Sequence, residues 1–255
     1  MTQHWIERVA LTCREAATDY VDILIDQSGF DFSVIPALKS LSIEWQSLFT
    51  GLPEASLVDV APLMARINLN DAQHMLFLHD FSQHAAAQAP LLILCSHWPF
   101  ATLAGWLTQC IDAQQEGRAG ILRFYDTRIF PLLFSHILSE EQQQTLLRPA
   151  LFWSWQDRDG EPQILNGDGV PPEQKEPSLK INLSDSQCES LMSICDVVAL
   201  LEHQAPPAGI FSSQQTLFLT CYEGMLEATK KGLLMDDQRE AWVMMKWSAA
   251  DESIL

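Results

Sequence analysis

The feature that most constrains the fold is a change in hydrophobic periodicity near residues 166–180. Before this segment, short apolar runs that fit β-strands alternate with runs whose apolar residues recur at helical spacing. Alternating strands and helices are typical of a sheet with helices packed on it. After the segment, only helical spacing continues. The sequence therefore predicts an α/β fold with a mixed central sheet and flanking helices, plus a small all-helical C-terminal lobe.

Residues 166–180 themselves, NGDGVPPEQKEPSLK, contain two glycines and three prolines and show no periodicity. This composition is typical of an exposed connection. We therefore predict an α/β domain over residues 1–165, a linker over 166–180 and a helical lobe over 181–255.

Capping signals divide the helical lobe. Ser184 and Gln187 form an S-x-x-Q capping box ahead of one apolar stripe, and Ser212 and Gln215 form a second capping box ahead of another. Asp236 is the expected start of a third helix. The lobe should therefore contain three helices.

The charge balance restricts the partners. The chain of 255 residues carries 33 acidic and 15 basic side chains, for a net charge of −18, and it has no run of Lys and Arg. Phosphate backbones and anionic lipid surfaces repel such a chain, so we expect no nucleic acid and no membrane partner. Residues 81–111 lack charged side chains, but Gln, His and Pro interrupt them and favour a helix end, a strand and an amphipathic helix over a membrane span.

Compartment signals point to the cytoplasm. The N-terminal sequence MTQHWIERVAL has no basic segment followed by an apolar core, as a signal peptide would. The six cysteines show no C-x-x-C pair and no zinc spacing, which indicates free thiols in a reducing compartment.

The segment GILRFYDTRIF, residues 120–130, combines apolar, charged and aromatic side chains. An alternating strand pattern places Arg123 and Tyr125 on one face and Asp126 on the other. Arg123 should need a carboxylate or carbonyl partner, and Asp126 stands where a helical pattern begins, so its side chain can cap free N–H groups. Because Pro131 follows, the regular helix should begin near Phe130. We interpret these residues as a structural junction.

Several motifs in this order resemble the family catalogued as domain of unknown function 4123, the type VI secretion effector adaptors or chaperones. The resemblance rests on LRFYDTRIFPLL, preceded by CSHWPFATLAGWL and followed by FWSWQDRDG, with YVDILIDQSG and WQSLFTGLPEASLVDVAPLMARI upstream. It covers about residues 20–165. The chain departs from the family where Thr127 replaces the usual proline and where LTQC lacks an arginine. The motif residues are Arg123, Tyr125, Asp126 and Arg128.

The resemblance implies a cytoplasmic protein that binds a cognate effector and helps load it onto the VgrG spike. It implies no catalysis and no cofactor, and a direct contact with VgrG is a further possibility. Two other functions are compatible with the residues: an acidic immunity protein that inhibits a toxin, and a small hydrolase.

A hydrolase would have to use Ser96, Cys95 or His97 as catalytic residues, and Asp126 would complete a Ser/His/Asp set. Adjacent serine and histidine side chains do not normally face each other, and no G-x-S-x-G motif is present. His74, His79 and His84 are five residues apart, which does not place them on one helical face, so we expect no metal site.

A partner-binding surface is expected on the last helix. The stretch EAWVMMKW places large apolar side chains on more than one helical face, so two different surfaces must pack against this helix to bury them. One covering is the other helices of the lobe, and the second is either those helices again or a client protein. The candidate partner-binding residues are Trp242, Met244, Met245 and Trp247.

Overall fold

The computed structural model divides into two compact units, Met1–Leu183 and Ser184–Leu255. The residues that it describes are 2–85, 91–174, 179–207 and 209–252. No helix in these ranges is both long enough and apolar enough to cross a bilayer.

The first unit alternates helices and strands, which confirms the predicted α/β class. Its helices are α1 (Thr2–Glu15), α2 (Ile35–Ser40), α3 (Ala72–Ala85), α4 (Phe100–Ile111), α5 (Phe130–Leu132) and α6 (Glu140–Leu147). Its strands are β1 (Tyr20–Asp26), β2 (Glu44–Ser47), β3 (Pro62–Asn68), β4 (Leu92–Cys95), β5 (Asp112–Gln115), β6 (Arg118–Ile121), β7 (Phe152–Gln156), β8 (Pro162–Asn166) and β9 (Ile181–Asn182).

Six strands form the central sheet in the order β2-β3-β1-β4-β7-β8. Every neighbouring pair is antiparallel, so the sheet is not a mixture of parallel and antiparallel strands as the sequence suggested. Ile23 at its centre pairs with Ala65 on one side and Ile93 on the other. The Asp159-Gly160 pair in the sequence predicts a hairpin turn. The strands β7 and β8 form that hairpin, and Gly160 takes the positive φ of 78° that its turn requires.

The central strand β1 is covered on both faces. Val21, Ile23 and Ile25 alternate with polar residues, as they do in a strand with one solvated face, but Asp22 is fully buried. A central strand whose two faces are both covered has no exposed face, so a polar residue on it is buried whichever way its side chain points. The helix α1 supplies part of the cover, and the Trp5 indole N–H donates to the Ser154 hydroxyl on β7 at 2.8 Å.

A second, three-stranded sheet has the order β6-β5-β9, and its β5–β9 pair is parallel. The chain reaches β9 through the segment expected to be an exposed linker, whose residues 175–178 lie outside the described part. Its start packs against the first unit. Gly167 N–H donates to the Leu151 carbonyl at 3.0 Å, and a Cβ at Gly167 would stand 2.3 Å from the Ala150 carbonyl oxygen. The boundary between the compact units follows Leu183.

The second unit consists of three helices within its described residues: α7 (Asp185–His203), α8 (Gln214–Lys230) and α9 (Asp236–Glu252). The capping box of Ser184 and Gln187 is confirmed. The cap of α8 lies one residue later than predicted, because the Ser213 hydroxyl accepts from the Thr216 N–H at 3.0 Å. Between α7 and α9, Arg239 pairs with Asp196 at 2.7 Å.

Candidate functional site

The GILRFYDTRIF segment leaves the strand earlier than its alternation predicts. Strand β6 ends at Ile121, and residues 122–129 form consecutive turns before α5 begins at Phe130. The predicted helix start near Phe130 is therefore confirmed, whereas the predicted strand faces beyond Ile121 are wrong. Phe124 and Tyr125 are both buried, because turns do not alternate in the way that a pleated strand does.

Arg123 has the carboxylate partner that its position required, but the partner is distant in sequence. Its Nη2 lies 2.5 Å from Oδ2 of Asp26, at the end of β1, and 3.8 Å from Oδ2 of Asp126. The Asp26 carboxylate also accepts from the N–H and hydroxyl of Ser28 at 3.1 and 2.6 Å. Arg123 therefore ties the turn segment to the first strand of the central sheet.

Asp126 organises the turns that lead into α5. Its carboxylate accepts two hydrogen bonds from the Arg128 guanidinium, at 2.9 and 2.7 Å, and one from the Arg128 N–H at 3.0 Å. Its carbonyl accepts from the N–H groups of Ile129 and Phe130. This is a cap of an irregular first turn, close to the capping role expected from the sequence. We call Asp26, Arg123, Asp126 and Arg128 the junction.

The electrostatics of the junction favour charged, paired groups. Burial penalises the Asp126 carboxylate, but the hydrogen bonds and charge of Arg128 outweigh it and hold the pKa of Asp126 below its usual value. Burial raises the pKa of Tyr125, which keeps its phenol protonated. Burial, with the charge of Arg128 second, lowers the pKa of Arg158 to about 10. The motif residues thus contact one another and β1.

A second buried ion pair was not anticipated from the sequence. The Arg66 guanidinium donates twice to Asp22, at 2.8 Å each, and once to the Trp98 carbonyl at 3.1 Å. Its Cζ lies 3.9 Å from the centre of the Tyr20 ring. Burial raises the pKa of Asp22 to about 6, and Arg66 limits that rise. The sequence signal that could have indicated this pair is that Asp22 and Arg66 each lie within an apolar strand segment.

The candidate hydrolase residues bond to other groups. The Ser96 hydroxyl donates to the Pro149 carbonyl at 2.6 Å, His97 Nε2 lies 2.9 Å from the Ala16 carbonyl oxygen, and Cys95 Sγ lies 3.4 Å from Thr18 Oγ1. Of the three histidines on α3, His74 accepts from the Asn68 N–H. In the described ranges, no three His, Cys, Asp or Glu side chains are grouped as metal ligands.

The candidate partner-binding residues of α9 separate into covered and open ones. Trp247 is 4% exposed and belongs, with Val243, to the core of the helical unit. Trp242 is half-buried, and its ring centre lies 4.9 Å from Lys231 Nζ and 6.0 Å from Lys246 Nζ. Met244 is half-buried and Met245 is 54% exposed. Trp247 is thus not on the surface of its unit, whereas Met245 is.

An apolar groove on the first unit escaped the sequence analysis. Its volume is about 540 Å³, and it lies along the outward face of α3. Phe77 and Leu41 pack against the core at its base, while Phe32 and Leu76 are 54% and 62% exposed at its edges. We call this the α3 groove. Its lining residues are Phe32, Leu41, Gln73, Leu76, Phe77, Asp80, Phe81 and His84.

The available signal for the groove was a second apolar face on α3. The inner face of α3 buries His74, Leu78 and Phe81. Leu76 is exposed and Phe77 is half-buried, so these two side chains form a second apolar face. A helix that is apolar on two sides needs two coverings, the argument that the sequence analysis applied to α9.

Comparison with protein-family models gave a match to part of the chain. The family model described as Domain of unknown function (DUF4123) matches residues 23–145, which hold the second half of β1, the strands β2 to β6, the groove and the junction. No curated protein and no solved structure matched the chain. The resemblance drawn from the sequence motifs is therefore confirmed for residues 23–145, the part of the chain that the DUF4123 family model matches.

Proposed function

We propose that the chain is a non-catalytic adaptor or chaperone that binds a cognate type VI secretion effector and assists its loading onto the VgrG spike. The observation that carries the proposal is the DUF4123 match over residues 23–145, because this family is commonly associated with such adaptors. A direct contact with the VgrG spike protein belongs to the same proposal, as does a cytoplasmic site of action.

The apolar surfaces support a protein-binding role. An adaptor holds its client by burying apolar side chains that its own fold leaves open. Phe32 and Leu76 are open on the first unit, and Met192 and Met245 are 62% and 54% exposed on the second. Methionines adapt to partners of different shape, which suits a client-binding surface.

The contacts of the junction agree with a structural role for the family motif. Arg123, Asp126 and Arg128 make ion pairs with one another or with Asp26. Their charges are thereby largely balanced by one another. We propose that the motif holds the scaffold and that partners bind elsewhere.

The net charge of −18 favours a second candidate, an acidic immunity protein that inhibits a basic toxin. The two functions differ in the fate of the bound protein. An adaptor releases an active effector at the spike, whereas an inhibitor blocks its activity.

The test is co-expression of the chain with the gene products encoded beside it. We expect a large neighbouring protein to co-purify and to retain its toxic activity after release. Co-purification of a protein whose activity is blocked in the complex would favour the inhibitor, and the absence of any complex with a neighbouring product would reject both.

The charge also predicts how association depends on salt. Long-range attraction between an acidic adaptor and a basic client surface raises the association rate at low ionic strength. Stopped-flow measurements at low and high salt should show slower association at high salt, with a smaller effect on dissociation. An association rate independent of salt would contradict electrostatic steering.

A further inference from the structure

We propose that the α3 groove binds an amphipathic helix of the client that carries apolar side chains on one face and a basic residue beside them. This inference rests on the proposed function, because it assigns the client surface and its chemistry. The groove, rather than α9, becomes the principal contact.

The shape of the groove fits a helix. Its base consists of Phe77, Phe81 and Leu41, which belong to the core or pack against it and are therefore held in place. The rings of Phe77 and Phe81 are stacked, with centres 5.4 Å apart and planes 7° from parallel. A volume of about 540 Å³ accommodates several large side chains, as grooves that bind helical anchors do.

The opposite edge of the groove is also supported. Phe32 is 54% exposed, and its ring centre lies 5.4 Å from that of Phe30. Phe30 in turn lies 5.4 Å from Phe81 at the base. This chain of aromatic contacts keeps Phe32 beside the groove, so a ligand would gain apolar contact without having to order that edge first.

The charge along the groove identifies the flanking residue of the ligand. The sequence of α3 contains no Lys or Arg, and Asp80 is the carboxylate that lines the groove. Asp80 is exposed and forms no ion pair with a residue in the described ranges. On α2, Lys39 Nζ lies 5.8 Å from the centre of the Trp45 ring. A basic residue therefore complements this wall, and an acidic one is repelled.

The first experiment uses two synthetic amphipathic helices and the full chain. Both peptides carry leucines at i, i+4 and i+7, and they differ in having lysines or glutamates beside that stripe. Fluorescence anisotropy should show that the full chain binds the lysine peptide at least about ten-fold more tightly than the glutamate peptide. Equal affinities, or no binding of either peptide, would overturn the inference.

Two substitutions locate the binding. Leu76→Glu places a carboxylate at the open edge and should weaken binding of the lysine peptide by about ten-fold. The matched control is Leu11→Glu on α1, where Leu11 is 56% exposed outside the groove. Asp80→Lys should reverse the preference between the peptides, and Glu7→Lys, a charge reversal on α1, should leave it in place. A Leu76→Glu variant that binds as the Leu11→Glu variant does would contradict the groove.

The same variants separate the inference from the proposed function. If the neighbouring gene product binds the natural chain and the Leu76→Glu variant equally, the groove is not the client site although the adaptor function stands. If the peptides respond as expected but no neighbouring product is captured, the groove stands and the adaptor function fails. Reduced capture by Leu76→Glu, but not by Leu11→Glu, supports both.

Discussion

The junction and the α3 groove use their side chains in opposite ways. At the junction, Asp126 is 6% exposed and both oxygens of its carboxylate accept hydrogen bonds from Arg128, while Arg123 forms an ion pair with Asp26. At the groove, large apolar side chains stand open at the edge and the one lining carboxylate has no described ion pair. The comparison teaches that the side chains of the most recognisable motif are used in contacts within the fold, whereas the binding surface that we propose lies in a less distinctive stretch.

The comparison implies that a covered apolar side chain should behave like the junction and not like the groove. Trp247→Ala removes a side chain that is 4% exposed in the core of the helical unit. We expect it to lower the free energy of unfolding of that unit by about 3–5 kcal/mol, measured by chemical denaturation. Met245→Ala, at a position that is 54% exposed, should change it by less than about 0.5 kcal/mol. Equal effects would contradict the distinction between covered and open positions on α9.

The dependence of stability on pH separates two kinds of buried carboxylate. The pKa of Asp22 is raised to about 6, so the folded state holds its proton more tightly than the unfolded chain does. Its contribution should make the fold less stable as pH rises from about 4 to about 6, by about 3 kcal/mol in total. The pKa of Asp126 is lowered, so its contribution is present above about pH 4 and is lost as pH falls below that value.

Denaturation curves between pH 3 and pH 7, for the natural chain and for Asp22→Asn and Asp126→Asn, measure these slopes. Asp22→Asn should remove the decrease between about pH 4 and pH 6, and Asp126→Asn should remove part of the loss at lower pH. If Asp22→Asn leaves the slope between about pH 4 and pH 6 unchanged, the assignment of the raised pKa to Asp22 is wrong.

A direct test of the junction removes its link to β1. Arg123→Ala leaves the Asp26 carboxylate, whose side chain is 8% exposed, without its guanidinium partner. Because Arg123 is itself 41% exposed, we expect a modest loss of about 1–2 kcal/mol of unfolding free energy. Arg118→Ala, at an exposed position on β6, is the matched control and should cost less than about 0.5 kcal/mol. A catalytic or ligand-binding Arg123 would instead alter activity without loss of stability.

The smallest expected effect is at the groove. Leu76→Ala should change the free energy of unfolding by less than about 0.5 kcal/mol, because Leu76 is 62% exposed and contributes little to the core. The same substitution should weaken binding of the lysine peptide. A large loss of stability in Leu76→Ala would show that the groove edge is part of the core and would remove the contrast with the junction.

Local patterns in the sequence were sufficient for much of the fold. The capping box of Ser184 and Gln187, the Asp159-Gly160 turn and the helix start near Phe130 each depend on a few neighbouring residues, and all are present. The α/β class and the helical C-terminal region follow from hydrophobic periodicity in the same way. Each of these features depends on residues that are close to one another in the sequence.

The features that sequence patterns missed depend on distant contacts. Arg123 pairs with Asp26, 97 residues away, and Asp22 pairs with Arg66 on the neighbouring strand β3. Which face of a helix stays open is also a long-range property. The sequence left open whether the helices of the lobe or a client protein cover the apolar side chains of α9; Trp247 is 4% exposed, whereas Leu76 on α3 is 62% exposed.

Hydrogen–deuterium exchange of the full chain, with and without the bound neighbouring gene product, tests the central claim most directly. The account predicts slower exchange over α3, residues Ala72–Ala85, and over the facing segment 30–41, with little change at 118–130. Slower exchange centred on 118–130, with α3 unchanged, would contradict it.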